Sequence, residues 1–385
     1  MSSKAADGSL ESLKLLVQST TSLITQLKSN LWSVAHGEIP PDSSTSPPNH
    51  DNGTGSVDAL SLAHDSASLI RAHTTKLSLL IINEPFTPSA ISKVLRELVA
   101  GPIPAIASAV QHCPAETYTT LVRRSLAWRC WRVLEDLKAL VEIIPLDGKI
   151  LPADRKNGAD GERGSMVATG VVWATCDAVI QLKKLGIAGL LVEKAQEYRD
   201  TLQDVLDELK EWSEEADEEE EEEEEEGEQD ENVQHITNEL QNTHVSAQQM
   251  IDDFMEAARI PRDDPHRIRE RLDSCLKRLR LTILLHSAII KRRIKTLPPL
   301  PSEQATPIIT RLDEVYTILK RLSDRFGDVA LAFYDLDPTH IDRATDECFF
   351  DAFAVAEMLK APWTGTQDEF TEWANKFQTS IKKPE

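Results

Sequence analysis

Apolar residues recur along most of this chain at steps of three and four, the period of a helix that packs one face against its neighbours. Leu10, Leu13, Leu16, Val17, Ile24, Leu27 and Leu31 trace such a stripe and predict a first helix over 9–36. A second stripe runs from Val57 through Leu60, Ala63, Ala67, Ile70 and Leu77 to Ile82, where Asn83-Glu84-Pro85 stops it. Thr87-Pro88 then places a capping residue before a proline at the first helical position, a favoured start. Gly101-Pro102 should break that third helix. Pro114 opens a fourth, which carries Tyr118, Leu126, Trp128, Trp131, Leu134 and Val141. Met166–Leu182 and Gly186–Trp212 complete six predicted helices. Five more are expected over Val233–Ala258, His266–Lys295, Ala305–Tyr334, Asp337–Leu359 and Thr366–Ile381. No segment alternates apolar and polar residues as a half-buried strand would. The pattern predicts an all-α protein, and long helices with short connections pack as antiparallel up-and-down bundles.

One stretch divides the series. Glu214–Glu231 is almost entirely Asp and Glu, with an unbroken Glu run from Glu218 to Glu226. Like charges repel along it and no apolar side chain offsets the entropy of ordering, so it reads as disordered. The expected organisation is an N-terminal helical bundle over 1–212, an acidic disordered linker over 213–232 and a C-terminal helical bundle over 233–385. No repeat of fixed period is visible. The net charge is −22; removing the fifteen acidic residues of the strap leaves −7. This balance argues against direct binding to nucleic acid or to anionic membrane. It fits either a basic protein partner or a strap that only keeps the chain soluble.

The five cysteines stand far apart, without a CxxC pair. That spacing fits buried free thiols in a reducing compartment better than disulfides or a zinc site. Met1-Ser2-Ser3-Lys4 lacks the apolar core of a signal peptide, and no run of about 18 apolar residues could span a bilayer. A soluble intracellular protein is expected.

Candidate chemistry is sparse. Metal sites in helical bundles usually need Glu three residues before His, and no histidine here has it. Asp263/His266 and Asp337/His340 have Asp at that offset. Pro265 and Pro338 mark both as helix starts, where Asp serves as a cap. There is no phosphate-binding glycine loop, nucleophile elbow or HExxH. No catalytic residue, cofactor or metal is therefore expected. Trp128, Trp131 and Trp173 read as core or inter-helix anchors, and Trp363, after Pro362, as a surface corner. The helix at His266–Lys295 carries ten Lys or Arg against Glu270 and Asp273. A basic DNA-binding helix would look like this. So would a solvated face neutralised by the strap, and the acidic surroundings favour the second. In that reading Arg278, Lys291, Arg292 and Arg293 meet the strap, represented by Glu218 and Glu226, in a loose, salt-sensitive contact.

Three stretches carry a family likeness. Val171-Val172-Trp173-Ala174-Thr175-Cys176-Asp177 is similar to a V-W-x-A-C segment, with the cysteine displaced by one place. The acidic strap stands where an acidic insert stands in that family. Leu312-Asp313-Glu314, with Asp328-Val329-Ala330-Leu331-Ala332-Phe333-Tyr334 and Pro338, is similar to an L-D-(D/E) … D-x-A-L-x-x-Y-x-P segment. The chain thus resembles the cyclin-D-binding protein family, also called Grap- and cyclin-D-interacting proteins and described as Id-like helix-loop-helix factors. The resemblance implies paired antiparallel bundles of the vinculin and talin kind. It also implies a role in binding D-type cyclins and helix-loop-helix transcription factors, in nucleus or cytoplasm, and no catalytic residues. The leading expectation is a non-enzymatic, protein-binding regulator of cell cycle or transcription. The alternative is a vinculin- or talin-like cytoskeletal adaptor, motivated by bundle architecture alone. An enzyme with an unrecognised helical site is the third.

Overall fold

The computed structural model describes residues 2–38, 58–157, 164–226, 260, 263–302, 305–365 and 367–382. Among these the regular elements are helices, with no strand. They are α1 (Ser2–His36), α2 (Ala59–Ile82), α3 (Pro88–Ala100), α4 (Pro102–Gln111), α5 (Ala115–Tyr118), α6 (Thr120–Glu142), α7 (Ala153–Asn157) and α8 (Ser165–Glu226). α9 (Ile268–Arg292), α10 (Thr306–Tyr334), α11 (Pro338–Lys360) and α12 (Glu369–Ser380) follow. The expected helix over Val233–Ala258 lies outside the described residues.

Local chemistry accounts for most boundaries. Asp58 caps α2 by accepting from the Ser61 N–H, and Asp337 caps α11 by accepting from Thr339 and His340. Asp368 and Thr371 form a reciprocal capping box at the start of α12. At α9 the capping carboxylate is Asp264, which accepts from the Ile268 and Arg269 N–H groups at 2.6 and 2.9 Å, not Asp263. The expected fourth helix is split at Thr119, whose φ of 80° interrupts α5 and α6. A left-handed threonine costs roughly 1–3 kcal/mol. Here the surroundings offset it: the Thr119 hydroxyl accepts from Val122, and Asp313 accepts from both the N–H and the hydroxyl of Thr120.

The fifth and sixth expected helices are one element, α8, kinked at Gly186. There φ is 63° and ψ −171°, a backbone conformation open essentially to glycine. α8 then continues past Trp212 to Glu226. Glutamate is a good helix former, and extending a formed helix needs no new nucleus. The remainder of the strap lies outside the described residues.

Contacts divide the chain into two compact units, residues 1–190 with 299–313 and residues 191–298 with 314–385. The division falls at Leu190 rather than after Trp212, because the apolar face of α8 beyond Gly186 is committed to α10. Tyr316 donates to the Leu191 carbonyl at 2.5 Å, and Trp212 lies against Phe333 and Tyr334. In the first unit α1 packs on α6 and α3, and α2 on α4. Its core includes Leu13, Val17, Ile24 and Leu31 of α1 with Val122, Leu126, Cys130, Val133, Leu137 and Val141 of α6. In the second, α9, α11 and α12 pack on one another around Leu272, Leu279, Phe349, Val355, Phe370 and Phe377.

Candidate partner-binding surfaces

The basic helix was the sequence's own candidate, and folding removes part of it from the surface. Arg278 is buried: its Nε donates to the Ile381 carbonyl at 2.8 Å and its guanidinium lies 3.9 Å from the Phe349 ring centre. Burial pulls its pKa below the ordinary arginine value. Arg293, at the end of α9, is only 1% exposed. It donates to the Leu359 and Lys360 carbonyls at 2.6 and 2.9 Å and grips Asp368 with two bonds at 2.6 and 3.0 Å. The Phe370 ring lies 4.3 Å away. Hydrogen bonds from Arg293 and Thr371 hold the Asp368 carboxyl well below the usual range against the effect of burial. Arg293 thereby ties the end of α11 to the start of α12, using a planar fork that lysine could not supply.

Of the other named cations, Arg292 pairs with Glu369 at 2.6 Å and Lys291 is exposed. Arg271 pairs with Asp342. The expected contact of Arg278 and Arg293 with the strap is therefore corrected: both are buried and bonded inside their own unit, so neither is offered to an outside anion. Glu218 and Glu226 fall within α8.

A cleft of about 240 Å³ in the second unit is lined by Arg325, Asp328, His340, Arg343 and Glu347. These residue types are the ones an acid–base site would use. Two of these charges are paired with each other: Arg325 bridges Glu347 at 3.2 Å, and also reaches Asp351 at 3.0 Å.

The first unit carries a different feature. On α1, Lys28, Trp32 and His36 succeed one another at four-residue steps. On α6, Arg124, Trp128 and Arg132 do the same, with Trp131 beside them. Where α1 packs on α6 these rows meet. Trp128 and Trp131 stack with centres 5.1 Å apart and planes 8° apart. Trp32 sits 5.2 Å from Trp131 and 6.1 Å from Trp128, and His36 stacks on Trp32 at 3.7 Å. The Lys28 ammonium lies 5.0 Å from the Trp131 ring centre and pairs with Glu135. At the end of α1, Gly37 has φ 71°, and the Arg124 guanidinium occupies the space a β-carbon would need. Glycine is favoured there by the turn, and a larger residue would also displace the Arg124 side chain.

Trp32 and Trp128 remain 39% and 40% exposed. Of the two expected roles, core or inter-helix anchor, Trp128 takes the second: it meets Trp32 and His36 of α1 from the outward side of α6, opposite the buried row Val122, Leu126, Cys130, Val133 and Leu137. Trp32 and His36 escaped sequence reading, although both sit off the leucine stripe of α1 at a four-residue spacing, which was the available signal. Trp173 does anchor helices: Arg71 lies 5.5 Å from its ring and pairs with Asp177 at 3.2 Å. Trp363 is half-buried rather than a free corner, and donates to the Arg293 carbonyl at 2.6 Å.

The remaining residues that carried the family likeness are structural. Asp313 caps α6, with burial pushing its pKa up against the bonds from Thr120. Tyr334 donates to Glu208 at 2.7 Å. All five cysteines are free and buried, and burial pushes the Cys176 and Cys275 thiols up to about 12. Such thiols are poor nucleophiles.

Comparison with known proteins agrees with the likeness. Residues 63–215 match the family described as Grap2 and cyclin-D-interacting, N-terminal, and that segment includes Trp128, Trp131 and Trp173. An uncharacterised protein of Schizosaccharomyces pombe is 25% identical over 322 residues, which is 83% of this chain and 82% of its own length. The resemblance to cyclin-D-binding proteins, first drawn from short motifs, is borne out by the family match.

Proposed function

We propose that this chain, whose residues 63–215 match the family of Grap2 and cyclin-D-interacting proteins, is a protein-binding regulator that acts on cell-cycle entry or transcription without catalysing a reaction. The observation that carries the reading is that family match. The geometry supports it in a specific way. The helices of the first unit present aromatic and charged surface at Trp32, Trp128, Arg124 and Arg132.

The expected partners are D-type cyclins or helix-loop-helix transcription factors, met in the nucleus or cytoplasm. A helix-loop-helix made from the two segments flanking the strap is the weaker form of this reading. The flanking part of α8 is already committed through Leu202, Leu206 and Leu209, which are buried. Dimerisation through it would need the unit to open.

Capture experiments with purified components test the proposal. Immobilised full-length chain should retain a D-type cyclin and release it to soluble competitor. Failure to retain any D-type cyclin or helix-loop-helix factor would overturn it. Co-sedimentation with filamentous actin in the same assay series would instead support the cytoskeletal adaptor.

A further inference from the structure

We infer that the tryptophan patch of α1 and α6 is a docking surface for an acidic segment of a partner protein, which lays a large apolar side chain over the exposed parts of Trp32 and Trp128. The inference rests on the partner-binding reading above, but not on the partner being a cyclin.

Trp128 lies outside the buried row of α6. A tryptophan exposed on an outer face is a large apolar surface left in water. Tryptophan and arginine are the residues that dominate binding energy at protein interfaces, and here they alternate along one helix face as Arg124, Trp128 and Arg132. The side chains are also held before any partner arrives. Trp128 is stacked on Trp131, Trp32 is fixed by Trp131 and His36, and Arg124 lies over Gly37. Pre-ordered side chains lose little entropy on binding.

Charge selects the occupant. The chain as a whole carries −22, yet this face exposes Arg124 and Arg132, while Lys28 is paired with Glu135. Cations gathered against the sign of the whole protein favour an anionic partner and disfavour a second copy of this chain. Aromatic rings among cations also suit single-stranded nucleic acid, whose bases stack on exposed ring faces. Two observations favour a peptide. Trp128 and Trp131 turn a face to each other at 8°, which removes two of the faces that bases would use. A long polyanion would also meet the repulsion of the whole acidic chain.

The test uses the full-length protein and a fluorescein-labelled, Glu-rich helical peptide carrying Leu at i, i+3 and i+4. Anisotropy should rise on binding, tryptophan emission should change, and salt should weaken the complex. A peptide with Lys in place of each Glu should not bind. Trp128→Ala and Arg132→Glu should each weaken binding by about tenfold or more. Circular dichroism checks folding; Arg132 is exposed, so Arg132→Glu keeps the test decisive if Trp128→Ala unfolds. The proposal is overturned if the wild type does not bind, or if both variants bind as the wild type does. It is overturned equally if oligothymidylate displaces the peptide, making nucleic acid the ligand. Tighter binding after residues 39–57 are replaced by a Gly-Ser linker would make that segment of this chain the occupant and overturn the partner assignment. A D-type cyclin retained equally by wild type and both variants would sink the surface and leave the family reading standing. Peptide binding without cyclin capture would do the reverse.

Discussion

Arg293, at the end of α9, and Arg132, on the outward face of α6, are the same residue at helical positions with other cations nearby, and the fold treats them in opposite ways. Arg293 is enclosed by two carbonyls, a carboxylate and the Phe370 ring. Arg132 is exposed beside Trp128. A cation run in a sequence is therefore not yet a surface. In the second unit Arg271, Arg278, Arg292 and Arg293 of the run are used in joining α9, α11 and α12, while Lys277, Arg280 and Lys291 stay exposed. In the first a sparser pair of cations, Arg124 and Arg132 of α6, remains exposed. The feature that looked functional from composition turns out mainly structural, and the feature with functional geometry formed only when two helices met.

If that contrast is right, the largest effect should come from Arg293. Arg293→Met removes the guanidinium that satisfies the Leu359 and Lys360 carbonyls and leaves Asp368 without its partner. Breaking such a pair from one side costs about 3 kcal/mol, discounted here because Asp368 still reaches water. Equilibrium denaturation should show that loss, and Arg293→Lys should restore only part of it. A stability equal to wild type would mean the enclosure of Arg293 does not hold the helices together.

A second effect separates the interior of the α9 region from the exposed patch by pH. His286 is fully buried on α9, bonds Thr282 through Nδ1 at 3.0 Å, and leaves Nε2 without a partner. Burial lowers its pKa to about 4, with the nearby Arg199 charge acting in the same direction. The unfolded chain takes a proton near pH 6.5, the folded one not until about 4. Stability on this account is full above the unfolded value and falls as pH drops between the two, by roughly 3 kcal/mol. The Asp368 carboxyl, held low by Arg293, adds a loss at more acid pH still. His286→Leu should flatten the first part of the profile and leave the second. A profile unchanged by the substitution would show that His286 is not what titrates.

How much of this was legible beforehand depends on the physics involved. Helical periodicity, proline starts and the Asp337 cap were local, so the all-α class and most helix ends could be read. The kink at Gly186 and the split at Thr119 were not, because glycine is compatible with either a bend or an end and the Thr119 turn depends on what lies across from it. Gly186 could as well have ended a helix as bent one, and Thr119 is tolerable only with Asp313, far away in sequence, capping the turn. The division at Leu190 was hidden for the same reason: the stripe of α8 is continuous, and nothing in it says that Leu191 will meet Tyr316. Arg278 and Arg293 were misplaced because charge suggests exposure unless a partner is known. Trp32 and His36 were passed over because four-residue spacing shows that two side chains share a face, not which face another helix will meet.

Returning to the exposed side of the comparison, Trp128→Ala should cost the first unit about 2 kcal/mol, a lost aromatic pair together with the part of the ring that is buried. Thermal unfolding would measure it. A loss as large as that of Arg293→Met would mean Trp128 belongs to the core, and the case for a displayed surface would weaken.

The smallest expected change is the most discriminating. Arg132→Glu reverses a charge on an exposed α6 position that bears no ion pair among the described residues. Surface substitutions of this kind usually shift stability by no more than about 0.5 kcal/mol. The new carboxylate stands four residues after Trp128 and three before Glu135, so it adds a modest like-charge repulsion on the helix. The same element reversed at Arg293 would break a network; here it should leave the unfolding midpoint almost where it was. The electrostatic part of partner binding should fall nonetheless, because the cations around Trp128 would lose one member and gain an anion. Unfolding midpoint and peptide affinity, measured on one preparation, separate the two. If both stay at the wild-type value, Arg132 is an ordinary solvated arginine and the contrast with Arg293 has no functional meaning.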